Sequence, residues 1–110
     1  AKLKNCHILF DLSLRELAYI INKSQFVVCY EGFFNHLASC FNKKTFLIHT
    51  GFLPVQAFKY KKNFVIHNNK KMKCYPCYDL ICKNHKKNLL KNLKDNFVIK
   101  KIRNNINVQK

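Results

Sequence analysis

The sequence predicts an α/β fold, a parallel sheet with flanking helices that forms half of a doubly wound architecture. Two observations point there. Short runs rich in β-branched and aromatic residues alternate with segments whose apolar residues recur at helical spacing, and the connections between them are short. One of these runs, TFLIHT at 45–50, is apolar almost throughout, as a parallel strand covered on both faces should be. With 110 residues, 48% of them hydrophobic and 14% aromatic, the chain reads as a single domain over 1–110 with enough apolar surface for a core.

Taken in order, CHILF at 6–10 reads as a short buried strand ending at Asp11. Ser13 followed three residues later by Glu16 is a capping-box signature and predicts a helix over about 14–22. Leu14, Leu17, Ala18 and Ile21 would form its buried face. QFVVCY up to Tyr30 is the next strand, and FFNHLASCF the next helix, with Phe34, Leu37, Ala38 and Phe41 as its expected stripe. Asn42, Lys43 and Lys44 close that helix before the 45–50 strand, and Thr50, Gly51 and Pro54 mark a loop. NFVIHN at 63–68 is a fourth strand. Beyond a basic stretch and a cysteine cluster, Leu89, Leu90 and Leu93, then Val98, Ile99 and Ile102, predict one or two terminal helices.

The formal charge of +16 invites a nucleic-acid reading. The basic residues are, however, 19 Lys and 2 Arg beside 14 Asn, a balance that also follows from A/T-rich codons. Base readout and bidentate phosphate gripping favour Arg. The expectation is therefore no nucleic-acid partner, with a basic surface suited to nucleotide phosphates or to peripheral association with an anionic membrane. No run approaches the roughly 18 apolar residues of a membrane span, and no secretory signal opens the sequence. Because it begins with Ala1, the chain is expected to be a fragment or a processed product.

The stretch VVCYEGFFNHLASC places an acid, a glycine and a histidine where a strand hands over to a helix. In open α/β sheets ligands sit outside the carboxyl ends of the strands, where the following helix presents free N–H groups and the positive end of its dipole. Gly32 permits a close approach or an unusual dihedral, Asn35 and His36 can donate hydrogen bonds, and Glu31 can accept two sugar hydroxyls. A nucleotide-linked sugar suits that set. In the plainer reading Glu31 caps the helix, Gly32 makes the turn and His36 is a half-buried structural residue; the spacing leaves both open.

The segment LSLRELAYIINKSQFVVCYEGFFNHLASCFNKKTFLIHTG resembles the donor-binding lobe of heptosyltransferase-type glycosyltransferases (glycosyltransferase family 9, GT-B fold). There a helix opening on Leu-Ser and Glu precedes a strand that ends in an acid, one or two small residues and a histidine, as in Glu-Gly-Gly-x-x-His-x-Ala. Glu31 falls on the acid, Gly32 on the first small residue, His36 on the histidine and Ala38 on the small residue after it, while Phe33 stands where a second glycine is usual. CYPCYDLIC and NFVIKKIRNNI extend the likeness, which covers roughly residues 11–103.

The resemblance implies a Rossmann-like, GT-B C-terminal-type lobe of an enzyme that moves a sugar from a nucleotide diphosphate, typically ADP-heptose, to a lipid-linked glycan such as a lipopolysaccharide core. That enzyme would be cytoplasmic or peripheral at the inner face of the membrane. Donor binding would fall to Glu31, Gly32, Phe33, Asn35, His36, Thr50 and Gly51, with no cofactor or metal called for. The catalytic base belongs to an N-terminal acceptor lobe and is not among these residues, so this chain alone would be an inactive partial enzyme.

Of the six cysteines, Cys6, Cys29 and Cys40 lie in apolar segments and are expected as small core residues. Cys74, Cys77, Cys82 and His85 supply four soft ligands within twelve residues, a set that tetrahedral zinc accepts, although the spacing is not that of a zinc knuckle. They support an alternative function, a small basic zinc-linked module binding nucleic acid, with Tyr60, Tyr75 and Tyr78 stacking on bases. A further alternative is an inactive remnant of a glycosyltransferase.

Overall fold

A computed structural model describes residues 4–67, 73–79 and 93–107. The protein is α/β, with a small parallel sheet and flanking helices. Helix α1 spans Leu14–Lys23, strand β1 Val27–Tyr30, helix α2 Phe33–Cys40, strand β2 Thr45–Ile48, a single 3-10 turn Val55–Ala57, strand β3 Asn63–Ile66 and helix α3 Asp95–Asn105. The sheet runs β1-β2-β3, both pairs parallel, with Val27 opposite Thr45 and Thr45 opposite Asn63. Strand β2 is central, and Thr45, Phe46 and Leu47 are buried in it, as its unbroken apolar character requires.

Local chemistry fixes where the helices begin and end. The Ser13 hydroxyl accepts the Glu16 N–H at 3.2 Å and the Glu16 carboxylate accepts the Ser13 N–H at 3.0 Å, so the predicted capping box closes the start of α1. At its other end the Ser24 hydroxyl donates to the Ile20 carbonyl. Helix α2 ends in a Schellman arrangement: Asn42 turns left-handed at φ 53°, its N–H donates to the Ser39 carbonyl at 2.9 Å, and the Lys43 N–H donates to the Ala38 carbonyl at 3.0 Å.

Alternation along β2 sends neighbouring side chains to opposite faces of the sheet. On one face Phe46 joins Ile66 and Leu93, covered by Val98 and Ile102 one helical turn apart on α3. The Phe26 ring meets Phe46 edge-on at 5.4 Å. Helices α1 and α2 pack on each other, and α2 packs on β1 and β2, with Ile21 and Ala38 buried. The small side chain of Ala38 lets α2 approach the sheet closely.

Several expectations fail, each for a physical reason. Residues 6–10 form no strand and are exposed, with Ile8 and Phe10 each 76% accessible; apolar character makes a strand only where a neighbour supplies a ladder, and among the described residues the sheet pairs β1, β2 and β3 alone. Leu14 is exposed at the first position of α1. The buried side of α2 is Asn35 and Ala38, while Phe34 and Phe41 are exposed, so the helix is rotated from its expected stripe. Cys6 and Cys40 are exposed and Cys29 is half-buried, so the first two are not core residues. Leu89 and Leu90 lie outside the described residues. Among the described residues no helix is long and apolar enough to cross a membrane.

Candidate functional site

The carboxyl ends of β1 and β2 are tied by one acid. Register places Tyr30 opposite Ile48, so Glu31 is the first residue past β1 and Thr50 the second past β2. Both carboxylate oxygens of half-buried Glu31 accept the Thr50 N–H at 3.2 Å, and the Thr50 hydroxyl donates to Oε1. Glu31 is therefore a cross-strand brace rather than a side-chain cap on α2. Its charge has a neighbour to act on: burial first, and then the Glu31 carboxylate, push the Cys29 thiol up to about 11.

Gly32 follows at φ 140°, a conformation open to glycine, and starts α2 with no side-chain cap. A Cβ at this position would meet nothing within 4 Å among the described residues beyond its chain neighbours, so the space beside the Gly32 Cα is open. The first helical hydrogen bond is donated by the His36 N–H to the Gly32 carbonyl at 3.2 Å. Among the described residues the N–H groups of Phe33, Phe34 and Asn35 have no intrahelical acceptor, as at any helix start, and the dipole adds partial positive charge there. Phe33 is exposed and stacks edge-on with Phe34 at 5.8 Å.

The two polar side chains on α2 point to different roles. Asn35 is fully buried, and its Nδ2 donates to the Phe58 carbonyl at 2.7 Å, while its Oδ1 has no partner among the described residues. It anchors the 58–60 segment to the helix. His36 is exposed, and its Nδ1 lies 2.6 Å from the Tyr60 hydroxyl, with the two rings edge to face at 5.6 Å. The phenol fixes the imidazole orientation and leaves Nε2 toward solvent.

The loop beyond β2 is held from downstream. Gly51 is buried, its carbonyl accepts the Cys77 N–H at 2.9 Å, and the Leu53 N–H donates to the Cys77 carbonyl at 2.8 Å. The Tyr75 hydroxyl accepts the Val55 N–H at 3.1 Å, and the Tyr75 ring meets fully buried His49 edge-on at 5.8 Å. Cys74 and Cys77 are free thiols, and the described part of their element serves to clamp this loop. Among the described residues no group of three or more His, Cys, Asp or Glu is placed to hold a metal ion; Cys82 and His85 lie outside them. Tyr60 and Tyr75 are engaged as above, and Tyr78 is exposed.

The structure thus brings Glu31, Gly32, Phe33, Asn35, His36, Thr50 and Gly51 to one end of the sheet and its adjoining helix start. It divides their work: Glu31, Thr50, Asn35 and Gly51 brace the site, while the Gly32 turn and His36 face outward. Sequence reasoning missed Phe58 and His49, and it singled out Tyr60 and Tyr75 only as base-stacking residues, not for the contacts they make with His36, Val55 and His49. No protein-family model matches the chain, and neither does any curated protein or solved structure.

Proposed function

We propose that the chain is the donor-binding lobe of a glycosyltransferase of the heptosyltransferase type, a GT-B C-terminal-type lobe that holds a nucleotide diphosphate-sugar. The observation that carries this reading is the uncapped helix start at Gly32, open beside its Cα and flanked by a braced carboxylate and an outward imidazole. The N–H groups of residues 33–35 would receive the diphosphate and stabilise the charge that develops on the leaving nucleotide as the glycosidic bond breaks. In the tautomer in which Nδ1 accepts from the Tyr60 phenol, His36 carries its ring hydrogen on Nε2 and would offer it to a phosphate oxygen. Glu31 has acceptor capacity beyond Thr50 for a sugar hydroxyl. The acceptor, a lipid-linked glycan, and the catalytic base would belong to a separate lobe.

Calorimetric titration with ADP and an ADP-sugar tests the assignment. Saturable binding is expected, weakened about tenfold by His36→Ala, the worth of one charge-assisted hydrogen bond, with an unchanged circular dichroism spectrum. Equal affinity in that variant removes the histidine from the site. Failure to bind either ligand, together with salt-sensitive binding of single-stranded RNA, would favour the nucleic-acid module instead.

A further inference from the structure

The register that aligns the carboxyl ends of the strands also aligns what precedes them. Thr45 pairs with Asn63, so Lys43 and Lys44 run alongside Lys61 and Lys62 as the chain enters β2 and β3, and adjacent strands are only about 4.8 Å apart. The ladder already includes this approach, because the Thr45 N–H donates to the Lys62 carbonyl at 3.1 Å and the Val27 N–H to the Lys44 carbonyl at 2.9 Å. These four lysines, with Phe64 and Asn105, line a cavity of about 1000 Å³ between the amino ends of the strands and the C-terminal end of α3. Among the described residues no Asp or Glu lines it.

One of the four is committed. The Lys44 ammonium donates to the Asn105 carbonyl and, at 3.1 Å, to the Ile106 carbonyl, where the end of α3 carries partial negative charge. Lys43, Lys61 and Lys62 have no carboxylate partner among the described residues. Like charges held side by side in a recess repel one another and focus positive potential into it. A codon-driven lysine excess would scatter ammonium groups over the surface, whereas pairing of β2 with β3 gathers these into one hollow.

We propose that this cavity binds clustered phosphate groups, at the end of the sheet opposite Glu31. It is wide enough for a triphosphate, the flexible ammonium groups act as point charges toward phosphate oxygens, and the Asn63 amide at its wall adds a neutral donor. A soluble polyphosphate and a phosphate-bearing lipid headgroup share this chemistry. The proposal is independent of the donor-site reading.

The test compares two double variants of equal charge in the intact protein: Lys61→Gln with Lys62→Gln in the cavity, and Lys73→Gln with Lys100→Gln outside it. One arm titrates sodium tripolyphosphate in 0.15 M salt; the other sediments the protein with phosphatidylcholine vesicles containing phosphatidylglycerol. The cavity pair is expected to lose at least tenfold in affinity and the outer pair less than twofold. Selective loss with tripolyphosphate assigns a soluble ligand, and selective loss with vesicles assigns a headgroup. Equal losses in both pairs, or no saturable binding in either arm, overturn the proposal. As a measurement that needs no variant, tripolyphosphate or vesicles should shield Lys61 and Lys62 of the unaltered protein from amine acetylation while Lys100 remains labelled; absence of such shielding counts equally against the site.

Discussion

Helices α1 and α2 begin in opposite ways. At α1, Ser13 and Glu16 satisfy each other's N–H groups through a reciprocal cap. At α2, Gly32 brings no side chain, and the adjacent acid turns away to Thr50. The first start is finished by its own sequence; the second carries no side-chain cap. The difference teaches that an acid beside a helix start can have a structural task, and that the glycine, by withholding a cap, creates the open donor set.

The largest expected effect concerns the thiols near each start. At pH 8 the thiol of Cys29, raised from 9.0 to about 11, holds about a hundredfold less thiolate than an ordinary cysteine. Exposed Cys6, ahead of α1, should be alkylated first, and mass spectrometry of iodoacetamide-treated protein reads the order. Labelling of Cys29 should recover as pH rises toward 11. Because the folded thiol keeps its proton to higher pH than the unfolded one, its contribution to stability is complete below 9.0 and fades as pH climbs through the folded value.

Next in size is Glu31→Ala, which strips the brace from the Thr50 N–H and hydroxyl and should cost about 2 kcal/mol in urea unfolding, the scale of hydrogen bonds to a charged group. Gly32→Ala forces a side chain into a left-handed conformation and should cost about 1–2 kcal/mol by the same measurement, from backbone strain alone, since the new Cβ has room. Ser13→Ala should cost about 1 kcal/mol, the worth of an N-cap, and leave ADP-sugar affinity unchanged. A drop in that affinity would erase the distinction between the two starts.

Much of the fold was legible because its signals are local. The Ser13/Glu16 pair, the Asn42 stop and the unbroken apolar run of β2 each depend on neighbours within a few residues. Residues 6–10 misled because an apolar run records a wish for burial and not the presence of a partner strand. The α2 stripe misled in a related way: helical spacing admits Phe34 and Phe41 as readily as Asn35 and Ala38, and only the sheet decides which side it covers. At the candidate site the residues near the turn were legible as neighbours, but the division of contacts among them is not local. Asn35 and His36 are adjacent in sequence, yet one is fully buried against Phe58 and the other faces out beside Tyr60, a division set by contacts more than twenty residues away.

The backbone clip between Cys77 and residues 51–53 has a consequence for anyone who shortens this protein. Among the described residues every strand of the sheet is complete by Ile66, yet a chain ending soon afterwards would already lose Leu93, Val98 and Ile102 from the Phe46 face. It would forfeit the two hydrogen bonds that pin Gly51 and Leu53, together with the Tyr75 ring that seals His49. The loop beyond β2 is held by downstream sequence, and any boundary that keeps it fixed lies well past Ile66.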